Sequence, residues 1–375
     1  MTPRLLAGPP AAAGAESLDD HVARLGRLPT DGRAGSVIPV IEASGLLGRG
    51  GAGFPVGRKW RTVAERRVRP ATVLVNAAEG EPLSAKDRTL LRLRPQLVLD
   101  GAFLAADAVA AERIVIYVGS AHREARASLE RALRERGSVP HPVELLDAPD
   151  TYVAGEESAA VHFVNEADAR PTTTPPRVFE QGIGGQPTLV QNLESLAYAA
   201  LIARFGDGWY REVGRDATPG SALVTVSGSE RDGIREIEIG TTIGELAAES
   251  GAGTGMADHQ AVLLGGYFGG WVSAERGSNL PLDPVALRAA GSAFGCGVVA
   301  FLGQDRCGVR ATSRIMNWMA GQIAGRGACR HPDGAVGQLL SSLRVFETEW
   351  DIHQRRRTCS RERFERTPGL GQEVA

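Results

Sequence analysis

The chain is short of lysine, of cysteine and of net charge. Of its 42 basic residues only Lys59 and Lys86 are lysine; the others are arginine. A sequence that uses arginine wherever a generic cation serves has kept the compact ammonium at two places, and both lie inside the dense motifs described below. An ammonium and a planar guanidinium fork present their donors differently, so the choice carries information. Four cysteines, Cys296, Cys307, Cys329 and Cys359, are too few and too scattered for a disulfide framework. A formal charge of −2 removes the electrostatic case for nucleic acid or for an anionic membrane surface. No apolar run approaches the roughly 20 residues of a membrane helix, so direct membrane insertion is not expected. The opening "MTPRLLAGPPAAAGAESLDD" has no apolar centre of the kind a secretory signal carries, and a cytoplasmic chain is expected.

What is present is a chain of 375 residues with 43% hydrophobic content, enough for two or three domains with real cores. Residues 1–35 read as an irregular arm with one short helix near "LDDHVARLG". Then "ATVLVNAAEGEP", "RIVIYVG" and "VELLDAP" read as buried strands. They alternate with helical stretches at "PQLVLDGAFLAADAVAAE", "HREARASLERALRERG" and "EESAAVHFVNEA". That alternation predicts an α/β domain over 36–215 with a mainly parallel, Rossmann-like sheet. "PTLVQNLESLAYAALIARFG" reads as one long helix. Residues 219–275 predict a small β-grasp-like module, its helix capped by Thr241 or Thr242, with a single strand in "QAVLLGGYFGGWV". A strand "GVVAFL" and a helical region follow over 291–350, then a polar, arginine-rich tail over 351–375.

Three dense motifs carry the chemistry. "GLLGRGGAGFPVGRKW" has glycine at 45, 48, 50, 51, 53 and 57, with Arg49, Arg58 and Lys59 among them. Successive backbone N–H groups in such a loop make an anion-binding concavity, and the cations would neutralise a phosphate. The loop fits neither the P-loop nor the Rossmann fingerprint, and taken alone it reads equally as a packed turn. "NAAEGEPLSAKDR" sets Asn76, Glu79 and Glu81 at the carboxyl edge of a predicted parallel strand, where open α/β sheets place ligands. "TYVAGEESAA" sets Gly155, Glu156 and Glu157 at a strand-to-helix junction, where carboxylates also complement the helix dipole.

Together with "PTLVQNLESL", these blocks resemble the flavoprotein (NADH-binding, 51-kilodalton-type) subunit of respiratory NADH:quinone oxidoreductase. Related subunits occur in NAD-linked hydrogenases and formate dehydrogenases. The family's first block reads roughly G-L-R-G-R-G-G-A-G-F-P-T-G-x-K-W, its second N-A-D-E-S-E-P with K-D-R, its third G-A-Y-I-C-G-E-E-T-A and its fourth P-T-x-x-x-N-V-E-T-L. The "LVTVSG" and "LLGGY" stretches are similar to the family's soluble-ligand-binding module, and the likeness runs in order over about residues 36–350. It implies an FMN pocket in which Gly48, Arg49, Gly50, Gly51, Ala52, Gly53 and Lys59 hold the phosphate and ribityl chain. Asn76, Gly155, Glu156 and Glu157 would line the ring, Glu79 would also serve the cofactor by orienting groups or relaying protons, and Asn192 would approach the phosphate end. NADH would meet Phe54, Glu81 and Glu157, and no side chain need serve as a covalent catalyst. Electrons would pass to an acceptor protein or to other subunits of a redox complex, which allows attachment at the periphery of a membrane complex.

Three departures from the family pattern stand out. Ala78 and Gly80 replace an aspartate and a serine. Thr62 and Arg177 stand where aromatic rings of the adenine clamp are expected, leaving Phe54. The C-x-x-C-x-x-C triplet of a four-iron cluster is missing and Cys329 alone matches a cluster ligand, so no 4Fe-4S cluster and no other metal are expected in this chain. A non-catalytic scaffold retaining FMN at most is the alternative these departures favour.

Overall fold

A computed structural model of the chain describes residues 2–29, 36–66, 70–251 and 255–323, and beyond them 338, 341, 342, 344–349 and 352. The chain divides into two units, Met1–Gly80 with Lys86–Ser221, and Glu81–Ala85 with Ala222–Ala375.

In the first unit, α1 (Leu18–Leu25) starts at Ser17, whose side chain accepts from the Asp20 N–H. Helices α2 (Ile38–Ser44) and α3 (Val56–Ala64) flank the glycine loop. The sheet is built from β1 (Ala71–Ala77), β2 (Ala111–Gly119), β3 (Val143–Ala148) and β4 (Thr188–Asn192), all parallel, in the order β3-β2-β1-β4. Strand β1 is almost wholly buried, as expected for a strand covered on both faces. Helices α4 (Lys86–Leu93) and α5 (Pro95–Val109) lead from β1 to β2, α6 (Arg123–Arg136) to β3, and α7 (Glu157–Glu166) towards β4. The chain thus steps outward from β1 to β3, then returns to lay β4 on the other side of β1. That reversal opens a crevice at the carboxyl ends of β1 and β4, the place where doubly wound sheets bind ligands.

The stretch read as one long helix is two elements. Thr188–Asn192 pairs with Thr72–Asn76 as β4, and α8 (Leu193–Arg211) begins only after Asn192 caps it. The apolar run suits either state; parallel pairing with β1 decides it, a case of tertiary context overriding local propensity. A two-residue pair, β5 (Gly214–Arg215) with β6 (Thr218–Pro219), ends the unit.

The second unit is built on a five-stranded sheet of β7 (Ser221–Ser227), β8 (Gly233–Glu238), β9 (His259–Leu264), β10 (Gly270–Ser273) and β11 (Val298–Gly303), in the order β10-β9-β11-β7-β8. Val224, Ile243, Val262, Leu264 and Phe301 belong to its buried core. Helix α9 (Ile243–Glu249) opens with a capping box of Thr242 and Glu245. Short helices α10 (Ala274–Gly277) and α11 (Pro284–Ala289) precede β11, and α12 (Gly308–Ile323) follows it. "QAVLLGGYFGGWV" forms two antiparallel strands rather than one, because Gly265 and Gly266 take positive φ and turn the chain. The module placed at 219–275 draws a further strand from outside that range: β11 lies between β9 and β7, parallel to β7. Among the described residues no helix is long and apolar enough to cross a membrane.

Candidate functional site

The glycine loop is pinched shut at its base. Leu47 bridges to Pro55, and the Gly48 N–H donates to the Phe54 carbonyl at 2.9 Å. Between these closures Gly51 and Gly53 adopt positive φ, 113° and 64°, so the backbone turns without a Cβ penalty. A Cβ added at Gly53 would meet nothing within 4 Å, whereas one at Gly50 would lie 3.2 Å from the Cβ of Asn192. The loop therefore rests on Asn192 and leaves an open side.

Asn192 ends β4 and its register partner on β1 is Asn76. Directly paired residues of parallel strands project to the same face, so the two amides stand side by side at the crevice. Asn76 donates from Nδ2 to the Gly155 carbonyl at 2.8 Å. A Cβ at Gly155 would lie 3.5 Å from that of Ala78 and 3.9 Å from Asn76 Oδ1. Three motifs separated by up to a hundred residues and more thus converge on two neighbouring asparagines.

Charge is distributed around this centre in an unexpected way. Arg49 is buried, and its guanidinium turns into the unit: Nη2 donates to the Tyr210 hydroxyl and to the Ser221 carbonyl, each at 3.0 Å. Those two acceptors hold the Arg49 guanidinium behind the loop, while its backbone N–H stays within the loop. Lys59, on α3, keeps its ammonium at the surface and pairs with Glu157 at 3.1 Å. Glu156 is the N-cap of α7, accepting from the Ser158 and Ala159 N–H groups. Glu79 has φ +45° and a carboxylate that accepts from the Asp87 and Arg88 N–H groups and the Arg88 guanidinium, anchoring the start of α4. Glu79 and Glu156 thus brace the walls of the crevice through backbone hydrogen bonds. Glu81 belongs to the second unit, where its buried carboxylate accepts from the Leu83 and Tyr267 N–H groups. Phe54 is exposed, with the Arg58 guanidinium 5.8 Å from its ring centre.

The structure accounts for one departure from the family pattern. A Cβ at Gly80 would lie 2.7 Å from the Tyr152 carbonyl oxygen and 3.0 Å from that of Thr151, so a serine has no room there.

Residues the sequence did not single out as ligands complete the floor. Lys86 is buried, its ammonium 2.6 Å from Asp87 Oδ1 and 3.0 Å from Glu194 Oε2. Burial disfavours the ammonium, but Asp87 and Glu194 more than offset it and hold the Lys86 pKa above the usual lysine range. Burial pushes the Asp87 carboxyl up, Lys86 pulls it down, and nearby Glu79 and Glu194 push it up again, to about 7. The rarity of lysine was the available signal for Lys86; nothing comparable marked Asp87 or Glu194. Cys329, matched to a cluster ligand, lies outside the described residues.

Residues 41–200 match the model of the Nuo51 FMN-binding domain. Over that segment the chain is similar to that family. Over 338 residues the chain is 28% identical to the F 2 subunit of the NADH-quinone oxidoreductase of Rhizobium meliloti (strain 1021), covering 86% of this chain and 80% of that one. It is 30% identical over 306 residues to the NAD-reducing hydrogenase HoxS subunit alpha of Cupriavidus necator, covering 75% of this chain and 50% of the relative. The crystal structure of an NAD+-reducing [NiFe]-hydrogenase in the H2-reduced state superposes with a TM-score of 0.70 at 28% identity, over 80% of this chain and 52% of that one. The chain therefore spans about half the length of these hydrogenase chains. The matched segment contains the glycine loop, both asparagines and the Gly155 junction, so the convergent site lies wholly within it.

Proposed function

We propose that the chain is an FMN-dependent NADH dehydrogenase-type subunit, which accepts hydride from NADH and passes electrons to a partner protein or subunit of a redox complex. The observation that carries this reading is the convergence of Gly50 on Asn192 and of Gly155 on Asn76, two asparagines in register at the β1/β4 crevice. The residues present suit FMN. Gly48 to Gly53 offer backbone and an open side for a phosphate and ribityl chain, and Lys59 supplies a surface cation close in sequence. Asn192 would serve the phosphate end. Asn76, Gly155 and Glu157 would lie along the ring, held by Glu79 and Glu156 through the helix starts they cap.

When bound, the flavin supplies hydride uptake and the release of single electrons. The chain's own residues bind and orient. Asn76 fixes the Gly155 peptide by donating from Nδ2 to its carbonyl, so the backbone at that wall cannot rotate. Lys59 holds the Glu157 carboxylate at the mouth of the site. Phe54, exposed and flanked by Arg58, would stack on the adenine. Glu81 is the further NADH contact by resemblance, and a cytoplasmic setting fits the whole.

A second reading, a scaffold that keeps FMN but not NADH turnover, draws on the adenine clamp: Thr62 and Arg177 offer no aromatic ring opposite Phe54. An anaerobic ultraviolet-visible spectrum of the purified chain, before and after NADH, separates the two. Flavin bands that bleach on NADH are the expected result. Unchanged bands select the scaffold, and a colourless chain that FMN does not reconstitute overturns both.

A further inference from the structure

A buried cluster of charged residues in the first unit sits beneath the glycine loop. Lys86 bridges Asp87 on its own helix and Glu194 in the first turn of α8. The second oxygen of Asp87 accepts from Asn192 Nδ2 at 2.7 Å, and Asn192 Oδ1 accepts from the Glu194 N–H at 3.0 Å. Glu194 Oε1 lies 3.9 Å from Arg49 Nε, and the Arg49 backbone N–H donates to Ser195 Oγ at 2.9 Å. The contacts close into a ring through Lys86, Asp87, Asn192, the loop at Arg49 and Gly50, and Glu194. One buried ammonium joins the start of α4 to the start of α8, and α8 carries the loop.

We propose that Lys86 and Asp87 are positioning residues that set the orientation of the Asn192 amide, and through it the seat of the glycine loop, for the phosphate end of the bound flavin. This rests on the FMN reading above. The geometry is directional. Because the Glu194 N–H fixes which side of the Asn192 amide is oxygen, Nδ2 must face Asp87, and only an acceptor at Asp87 Oδ2 can receive it. Two acceptors converge on one nitrogen of Lys86, an arrangement a point-like ammonium satisfies and a planar fork does not. Neither Lys86 nor Asp87 is exposed, so both act through Asn192 rather than by touching the ligand.

Asp87→Asn is the informative variant. It keeps the shape of the side chain, but its amide cannot accept from Lys86 on one side and from Asn192 on the other without setting donor against donor. Lys86→Arg, which keeps the charge and changes the fork, is the second. Fluorescence quenching measures the dissociation constants of each chain for FMN and for riboflavin, which lacks the phosphate, while circular dichroism follows folding. Both variants are expected to weaken FMN by about tenfold or more, the scale of a lost hydrogen bond to a charged group, while riboflavin affinity changes by less than about threefold. Equal weakening of both ligands, or no weakening of either, would overturn the proposal, since a merely structural defect does not distinguish the phosphate. A wild-type chain that binds neither ligand fails the FMN reading itself, a result distinct from either variant outcome.

Discussion

Asn76 and Asn192 are register partners on two parallel strands, and each is the contact point of a different glycine motif. Sequence separation between them is large, but the return of the chain from β3 to β4 makes them neighbours. The pairing explains why the glycine loop, the Asn76 strand end and the Gly155 junction work as one site. A loop of glycines is a weak signal by itself; seated on an asparagine at the switch point of a parallel sheet, it becomes one wall of a crevice.

The loop's open side makes Gly51 a sharp test. Its φ of 113° is one an L side chain rarely adopts, so Gly51→Val both strains the turn and puts methyl groups where backbone should meet a ligand. We expect this variant to purify without flavin, at a stability cost of about 1–3 kcal/mol that thermal melting reads. Gly208→Ala is the control: a Cβ there meets nothing within 4 Å, and that chain should remain yellow.

Lys59 and Glu157 form an ion pair that is partly open to solvent, with side chains 23% and 38% exposed. Such pairs contribute at most about 1 kcal/mol to stability, so Lys59→Gln should melt within a few degrees of the wild type. Its effect on the cofactor is expected to be larger. Losing a hydrogen bond to a phosphate is worth about 1.5–3 kcal/mol, and FMN should bind at least about tenfold more weakly by fluorescence titration. A variant that melts normally and binds FMN as tightly as the wild type would remove Lys59 from the cofactor site.

Much of this arrangement could be read from the residues because local patterns determine it. Continuous apolar runs gave β1 to β3, Gly137 closed α6, and the carboxylate before "ESAAV" proved to be the cap of α7. What could not be read depends on partners far along the chain. The Arg49 guanidinium is turned inward by acceptors 161 and 172 residues away, and no spacing rule reaches that far. Thr188 to Asn192 became a strand only because β1 offered an unpaired edge. Glu194 and Asp87 resemble ordinary acidic residues in a first helical turn, and only the fold brings both to the same ammonium. Gly80 is legible in the structure alone, from two carbonyl oxygens that close over it.

The N-terminal segment is fastened by a buried ionic cluster whose pH response can be stated in sign. His21 Nε2 lies 2.8 Å from Asp100, and its Nδ1 faces Glu16, which also pairs with Arg24; Arg136 pairs with Asp100 at 2.6 Å, and Arg204 also pairs with Asp100. Burial alone would lower the His21 pKa, but the hydrogen bonds to Asp100 and Glu16 more than offset it and raise it. Burial likewise opposes ionisation of Asp100 and Glu16, yet their hydrogen bonds to His21, with help from the arginines, hold both at about 2. The His21 contribution is therefore complete below the unfolded histidine value of about 6.5 and is lost as pH rises through the raised folded value. The carboxylates contribute above about pH 4 and lose that contribution as pH falls towards about 2. His21→Gln should accordingly melt well below the wild type at about pH 5.5, and the gap should narrow in alkaline buffer. A gap independent of pH would mean that His21 is not charged in the folded chain.

His259, in the second unit, carries the opposite sign. Its ring is stacked on Phe301 with centroids 5.0 Å apart, it is 6% exposed, and neither ring nitrogen has a hydrogen-bond partner among the described residues. Burial lowers its pKa, with Asp258 opposing weakly, so the folded chain holds the neutral ring. The unfolded chain then binds the extra proton, and this residue costs stability as pH falls below about 6.5. His259→Phe removes two desolvated nitrogens and keeps the stack on Phe301. We expect it to melt higher than the wild type, by a margin that grows between about pH 7.5 and about pH 5.5, as the wild type takes up its proton on unfolding. The two histidine variants thus diverge in acid, one falling below the wild type and the other rising above it, so the pair of melting curves distinguishes a charged histidine held by carboxylates from a neutral one held by burial. A His259→Phe advantage that shrinks in acid would show that the ring is protonated in the fold and finds a partner there.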